Sequence, residues 1–590
     1  MTSQQVQWAG WPVLVVLAAL FWPLWRWWWG RQRLRQLAAR IPGPEPWPLV
    51  GNAPLFCRNP QRAIQTVLAL IEQYGPTVRV WIGSKLYIVV TDPQDIACVL
   101  GNSSVISRDS YINRLASNLM GQSLITASGE LWKAHRKIVA PAFSSNVLQD
   151  MVPELSRQAE QLSATLADLA DGATLDVFPY VAAAVLEALL ARSVAIVEEK
   201  FCKPWLWACG WLYRRTALYR DEARTLAELN AFSQEVIAQR ACRRQEAAGG
   251  DSRDKQVVLD YLLAATESGG RLSETELQDE VNTLLSAGYE TTATTICFAL
   301  LLLGMYPRVQ DNLVAELDAV FGDDPQRTPT AADLRRLHYL DAVIKETLRL
   351  FPPAPIIHRE VETSELKIGG CTLPVGASVL VLSYSAHRHP DHFDSPQHFC
   401  PERFSEPRAR PRHPYAYVPF GAGPRICVGR AYGLLLAKAA VAAVLRRLRV
   451  ESRLTRGRLP RRAVPALPRL LPPGGAGAGA ARLRPPPQAS LRGSHLGHDT
   501  SRGGAGVHRD GAAARQLQLV RAGGLSANRL HGTRQVLRRR LAACRGRGRC
   551  PKALRRRLTT GSASPLHCGR LQRLRMPNTQ AVSDTVSTVE

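Results

Sequence analysis

The chain holds twelve cysteines but no Cys-x-x-Cys pair and no Cys or His run at metal-ligand spacing. That absence removes zinc ribbons, redox dithiols and a disulfide framework from consideration. Scattered thiols suit a body in the reducing cytosol. Acidic residues are also scarce, and where they are scarce decides what the net charge of +26 means. Residues 455–590 carry 27 Lys/Arg against 4 Asp/Glu, which leaves only +3 for everything before them. Basicity is therefore a property of the tail and gives no nucleic-acid reading of the body. The tail in turn lacks interleaved aromatics and, from Arg456 to Arg575, any helical or strand period. Pro472-Pro473-Gly474-Gly475-Ala476-Gly477 is typical of it. Such composition cannot bury a core and is expected to be disordered. The abrupt change after Arg453 points to an off-frame or unspliced GC-rich translation more than to an RNA-binding arm, so no specific nucleic-acid partner is expected.

The amino end lacks the basic n-region and small-residue cleavage site of a removable signal peptide. It has Trp8 to Trp25, almost wholly apolar, then Arg26, Trp27-Trp28-Trp29, Arg31, Arg33, Arg35 and Arg40. A run of about 18 apolar residues is near the minimum that spans a bilayer core. The tryptophans suit the headgroup belt, and the arginines on the C-terminal flank predict a cytosolic body. The expected organisation is a membrane anchor at 1–30, a basic and proline-rich hinge at 31–52, a folded domain at 53–454 and the tail at 455–590. Ile41-Pro42-Gly43-Pro44-Glu45-Pro46-Trp47-Pro48 makes the hinge stiff.

Within the body, Pro60 to Tyr74 has helical periodicity, and Thr77 to Ile82 and Leu86 to Val90 alternate as two strands around Gly83-Ser84. Gly101 to Leu124 reads as a polar, irregular loop. A helix then begins near Leu131 with Trp132 and Arg136 on one face and His135 an ordinary, partly exposed histidine. Phe201 to Tyr219 is aromatic-rich, and Arg240 to Asp254 reads as a charged surface loop. Ser273 to Leu303 is a long helical stretch interrupted by Ala287-Gly288-Tyr289-Glu290-Thr291-Thr292. Glycine and threonines are poor helix formers, and an ionisable Glu290 in apolar surroundings is a local conflict of the kind found at functional sites. The plain alternative is a kinked core helix with Thr back-bonding. Leu337 to Leu350 is helical, and Glu346 and Arg349 alone would be a weak surface ion pair.

The run Pro419-Phe420-Gly421-Ala422-Gly423-Pro424-Arg425-Ile426-Cys427-Val428-Gly429-Arg430 leads into an apolar helical segment, Ala431 to Leu448. Its glycines allow positive φ and close approach of a flat group. Cys427, near a helix start, is placed to be a thiolate. A thiolate held so is an axial ligand for haem iron. The plain alternative is a buried cysteine acting as a small hydrophobe. Arg425 is close enough in sequence to meet a haem propionate.

Phe420, Gly423, Arg425, Cys427 and Gly429 complete Phe-x-x-Gly-x-Arg-x-Cys-x-Gly, which resembles the haem-binding loop of the cytochrome P-450 (haem-thiolate monooxygenase) superfamily. The resemblance implies a mainly α fold with a small β-rich subdomain behind a single N-terminal transmembrane helix. It makes Cys427 the axial ligand, with Phe420 and Gly421 against the haem. Trp132, Arg136, Arg359 and Arg425 become propionate ligands, with His358 the rival of Arg359. Glu290 and Thr291 become the oxygen- and proton-handling pair. Glu346 and Arg349 join Arg403 of Pro401-Glu402-Arg403-Phe404 as a structural lock, where Cys400 replaces an often-seen Asp without harm. Ala354 to Ile357 would line the substrate pocket.

Glu280-Val281-Asn282-Thr283 to Thr292 is most similar to the microsomal fatty-acid ω-hydroxylase branch (family 4) and its arthropod relatives. Ala287 stands where that branch often has a glutamate esterified to haem, so haem b is expected to be non-covalent. The resemblance further implies O2 and NADPH-derived electrons from an NADPH–cytochrome reductase, cytochrome b5 as a second donor, membrane lipid contact and a small lipophilic substrate. The expected location is the endoplasmic reticulum membrane with a cytosolic catalytic body. The absence of the family's usual β-rich ending raises the alternative of an inactive or non-oxidative haem-thiolate protein, an isomerase or dehydratase. The intact Glu290–Thr291 pair argues against it.

Overall fold

The apolar run that follows Val281 forms the spine of the molecule. The computed structural model describes residues 22, 32–48, 50–57, 63–102, 107–170, 174–181, 192–193, 195–197, 199–200, 210–248, 257–267, 271–322, 324, 327–362, 365–405, 412–452 and 480–484. In chain order the principal helices are α1 (Gln32–Ala39), α2 (Ala63–Tyr74), α3 (Pro93–Leu100), α4 (Ser110–Met120), α5 (Gly129–Val139), α6 (Ser145–Asp168), α7 (Ala217–Ala248), α8 (Val258–Glu267), α9 (Glu274–Met305), α10 (Pro307–Phe321), α11 (His338–Leu350) and α12 (Arg430–Leu445). The strands are β1 (Thr77–Ile82), β2 (Lys85–Val90), β3 (Thr174–Asp176), β4 (Ile356–Glu360), β5 (Leu366–Ile368), β6 (Cys371–Leu373), β7 (Ser378–Leu382), β8 (Arg449–Glu451) and β9 (Ala480–Arg484).

Helix α9 opens with a capping box, the Ser273 hydroxyl accepting from the Glu276 N–H and the Glu276 carboxylate accepting from the Ser273 N–H. From Ile296 to Leu303 it is buried all round, which is the signature of a core helix. The Ala439-Ala440-Val441-Ala442-Ala443 stretch of α12 shares that core, and its small side chains let α6 come close enough for Ser163 Oγ to donate to the Ala443 carbonyl at 2.7 Å. Among the described residues α9 alone is long and apolar enough to cross a membrane, and it is mostly buried in the protein. The anchor expected at 1–30 lies outside the described residues except at Trp22.

The four-stranded sheet runs β1-β2-β7-β4, with β2 parallel to β7 and the other pairs antiparallel. Leu86, Ile88 and Val90 enter one apolar cluster while Tyr87 and Val89 enter another, so period-2 alternation here buries both faces. The hinge is pinned to this sheet: the Arg79 N–H donates to the Pro42 carbonyl at 2.8 Å, and the Asn52 side chain bridges the Glu45 carbonyl and the Trp81 N–H. A Cβ at Gly43 would lie 2.3 Å from the Arg79 carbonyl oxygen, so only glycine permits that approach.

Three expectations change. Gly101 to Leu124 is not all loop: Asp109 accepts from the Ile112 N–H at 2.6 Å and caps α4. Arg240 to Ala248 is the last part of α7, where Arg240 pairs with Asp260 at 2.8 Å, so charge there serves packing between helices. Most consequentially, residues 480–484, assigned to a tail without strand character, form β9 between β3 and β8. Two short strands with open edges select a partner by backbone pairing, which overrides weak local propensity. The described residues all belong to one compact unit; a second, Gln488–Pro577, lies outside them, as does the rest of the expected disordered tail.

Candidate cofactor site

The cysteine loop is shaped by two glycines in the left-handed region, Gly421 at φ 71 and Gly423 at φ 67. At Gly423 a Cβ would stand 1.9 Å from the Leu100 carbonyl oxygen, so the loop packs on α3 only with hydrogen there. Gly429, the third glycine of the loop, sits at φ −82 and caps α12. The Cys427 N–H donates to the Phe420 carbonyl at 3.0 Å, and the Gly429 N–H donates to the Cys427 sulfur. Burial dominates at this thiol and pushes it up from its ordinary value, while Gly429, Arg136, Arg108 and Arg430 pull it down. The helix start thus does not by itself yield a thiolate, because Cys427 precedes α12 and faces an apolar cavity. A bound metal cation would supply the missing charge.

Cys427 opens into a cavity of about 340 Å³ that also receives Trp132 and Arg136 from α5, Arg359 from β4, and Phe420, Gly421 and Arg425 from the loop. Register explains part of this: β4 pairs Arg359 with Val379 and His358 with Leu380 at the edge of the sheet. A further guanidinium, that of Arg108, enters from the segment before α4. Among the described residues lining the cavity none is Asp or Glu. Burial first, then mutual repulsion, pulls Arg359 and Arg425 down to about 9 and burial pulls Arg108 down to about 10. Arg425 donates to the Leu124 and Ala127 carbonyls at 3.3 and 2.7 Å and stacks over the Trp132 ring at 4.2 Å. The Arg108 Nε is buried without a hydrogen-bond partner among the described residues. His358 Nδ1 accepts from the Asp109 N–H at 3.2 Å, and burial plus the neighbouring arginines hold its ring neutral.

A wall of four cations, Arg359 and Arg425 buried and Arg108 and Arg136 half-buried, with no carboxylate among the described lining residues calls for an anionic guest. The opposite, apolar part of the cavity and the bare Cα of Gly421 leave room for a flat hydrophobic one. A haem, with two propionates on one edge and iron at the centre, fits these residues.

Thr291 of α9 lines the same cavity with Ala287 and Gly288, its hydroxyl donating to the Ala287 carbonyl at 2.8 Å. Glu290 does not line it and is half-buried on a different side of the helix. Consecutive helical residues are turned about 100° apart, so the two members of the pair cannot share one face. The helix remains continuous from Glu274 to Met305, although Ser286, Thr291 and Thr295 all back-bond to carbonyls one turn earlier.

Behind the loop stands a buried ion cluster. Arg349 grips Glu346 with two bonds of 2.7 and 2.8 Å, and Arg403 Nε reaches the same carboxylate at 3.0 Å. Both Glu346 and Arg349 are 0% exposed, unlike the weak surface pair that their spacing alone would suggest. Arg349 also donates to the His387, Pro396 and His398 carbonyls, and the Cys400 N–H adds a bond to Glu346 at 3.0 Å. His387, held neutral by burial at about 3, accepts the Val418 N–H at 2.9 Å and so joins the cluster to the cysteine loop.

Two groups escape sequence reasoning. Arg108 lies in a stretch with no period and no motif; only the fold brings it to the cavity. His135 is 2% exposed, not partly exposed, and its Nδ1 meets the fully buried Glu280 at 2.7 Å. Their one sequence signal is weak: an acid on an otherwise apolar face of α9 needs a partner.

Comparison with known proteins agrees with this arrangement. Residues 41–196 and 189–463 match the family model described as Cytochrome P-450. The chain is similar to Cytochrome P-450 4V2 of Pongo abelii, 32% identical over 440 residues, covering 69% of this chain and 83% of the relative. It is similar to Cytochrome P-450 4c3 of Drosophila melanogaster, 29% identical over 462 residues, 72% of this chain and 86% of the relative. Probable cytochrome P-450 4aa1 of Drosophila melanogaster is 31% identical over 433 residues, 70% and 84%.

Proposed function

The chain belongs to the cytochrome P-450 family and is a monooxygenase of that family, an oxidoreductase; from that premise we propose how its residues divide the work. The substrate is a lipophilic small molecule (a fatty acid, a hormone-like lipid or a xenobiotic), and the electrons come from NADPH through a membrane-bound reductase, with cytochrome b5 as a second donor. The body sits on the cytosolic side of the endoplasmic reticulum membrane. Haem b, bound non-covalently, supplies the activation of O2 that no side chain here can perform.

Cys427 would hold the iron as a thiolate, giving up its proton on binding. Arg108, Arg136, Arg359 and Arg425 would hold the two carboxylates, with the Trp132 ring stacked against the Arg425 guanidinium. Phe420 and Gly421 would lie against the ring. Ala287 presents a methyl and no carboxylate, so no ester forms with the cofactor. Thr291 Oγ1, now donating to Ala287, is the hydroxyl that can turn to hold a proton in the cavity. Glu290, outside the wall, exchanges that proton with solvent through its side of the helix. Leu124, Ile125, Ile356 and Ile357 exclude water and orient the apolar substrate.

The observation that carries this reading is the convergence of one cysteine and four arginines on a single carboxylate-free cavity. Its test is the reduced, CO-bound difference spectrum of the purified full chain. The red-shifted Soret band of a thiolate-ligated haem is expected, and Cys427→Ala abolishes it. Its absence in haem-replete wild-type protein would reject the assignment. Substrate-dependent NADPH and O2 consumption in equal amounts then separates a monooxygenase from a non-oxidative isomerase or dehydratase.

A further inference from the structure

The segment between α4 and α5 is pinned to α9 from the side away from the cavity. The Leu124 N–H donates to Glu280 Oε1 at 2.6 Å, and the same oxygen meets His135 Nδ1 at 2.7 Å. The Gln122 N–H adds a second bond to α9 at Asp279, 2.8 Å. On its other side this segment presents the Leu124 and Ala127 carbonyls to Arg425 at 3.3 and 2.7 Å. One residue, Leu124, therefore carries a continuous path through its two adjoining peptide groups, from the Glu280 carboxylate to the guanidinium two residues before Cys427. His135 shares α5 with Trp132, over whose ring that guanidinium stacks. Glu280 is 0% exposed and its Oε2 has no hydrogen-bond partner among the described residues, while His135 Nε2 faces Glu276 Oε1 at 3.5 Å.

We propose that Glu280 is a positioning residue for the cofactor site. With His135 as its counter-charge it fixes the Leu124–Ala127 segment, and through that segment it aims Arg425 at a haem carboxylate. This inference rests on the haem assignment made above. The chemistry is that of an outer partner orienting the group that meets the ligand: a carboxylate fixes a backbone segment by its N–H, and carbonyls of that segment fix a guanidinium. Glu280→Ala removes the acceptor from the Leu124 N–H and leaves His135 with only its longer contact to Glu276. Glu280→Gln keeps an acceptor but removes the charge that His135 faces.

The experiment measures haem transfer from the full-length holoprotein to excess apomyoglobin. Glu280→Ala is expected to speed haem loss by about 10-fold or more, the usual scale for an outer-shell partner, and Glu280→Gln by less. Amide hydrogen exchange of the haem-free protein across residues 121–128 should rise in Glu280→Gln, which also covers the case in which the alanine variant fails to fold. The decisive arm is a double-mutant cycle: in an Arg425→Ala background, Glu280→Gln should add almost nothing to haem loss. Unchanged haem transfer in both single variants, or full additivity with Arg425→Ala, overturns the inference in favour of a merely structural tie between α5 and α9. Wild-type protein that holds no haem would instead overturn the haem assignment, and this inference with it.

Discussion

At the scale of single residues, the cavity is a problem in charge before it is one in shape. Arg108 faces Arg359 and Arg425 across it, and each is pulled down from its ordinary value by burial and, for Arg359 and Arg425, by Arg108. Removing one cation relieves repulsion in the empty site but takes a grip from the filled one. Arg108→Ala is therefore expected to leave the unfolding midpoint of the haem-free protein unchanged or raised, while weakening haem retention about 10-fold; titration with hemin checks both. Trp132, Arg136, Arg359, Arg425 and Cys427 were legible in the sequence because their spacing repeats a motif. Arg108 was not, since a lone arginine in an aperiodic stretch carries no sign of what faces it. His135 adds a pH dependence. Glu280, then Glu276, hold its pKa above the ordinary 6.5, so the pair's contribution is complete below that value and is lost as pH rises through the folded-state value. Denaturant midpoints measured from neutral to alkaline pH should fall in wild type, and fall less in Glu280→Gln.

At the scale of elements, one ion cluster ties α11 to the strand of chain from His387 to Arg403. Arg349→Ala leaves Glu346 buried with one remaining partner side chain, and breaking such a pair costs about 3–5 kcal/mol. Urea denaturation of the haem-free protein reads this directly; a loss under 1 kcal/mol would place the cluster at the surface after all. Sequence spacing gave the pair but not its burial, because i,i+3 neighbours look alike whether water or three carbonyls lie beyond them. Helix α9 was legible from its apolar length, and its cavity-lining Thr291 from a break in that pattern. The side on which Glu290 emerges follows from helical geometry and was already available to the eye.

At the scale of the whole molecule, composition misled at one point. Arginine, glycine and alanine after residue 455 argue against structure, yet 480–484 completes a sheet whose outer members, 174–176 and 449–451, lie far apart in the chain. A central strand is specified by the edges waiting for it more than by its own residues. Arg482→Pro, opposite Glu451, removes a backbone donor from the middle strand of this sheet. Lower thermal stability and more self-association, measured by light scattering on heating, are the expected results, since β3 and β8 then present open edges. Gln310 would still clasp β8, its amide donating to the Val450 carbonyl and accepting the Val450 N–H, each at 2.9 Å, so the strand itself should persist.

The link through His387 has a consequence in time. Its carbonyl is taken by Arg349 and its Nε2 by the Val418 N–H, so the chain leading to Cys427 is moored to a histidine that the ion cluster has already seated. By chain separation this mooring closes first, since His387 and Val418 are 31 residues apart whereas the α5–α9 contact of His135 with Glu280 spans 145. A nascent chain whose cluster has not closed has no formed cradle with which to capture the cofactor. Loading of the metal thus acts as a certificate of correct assembly, issued by the fold itself.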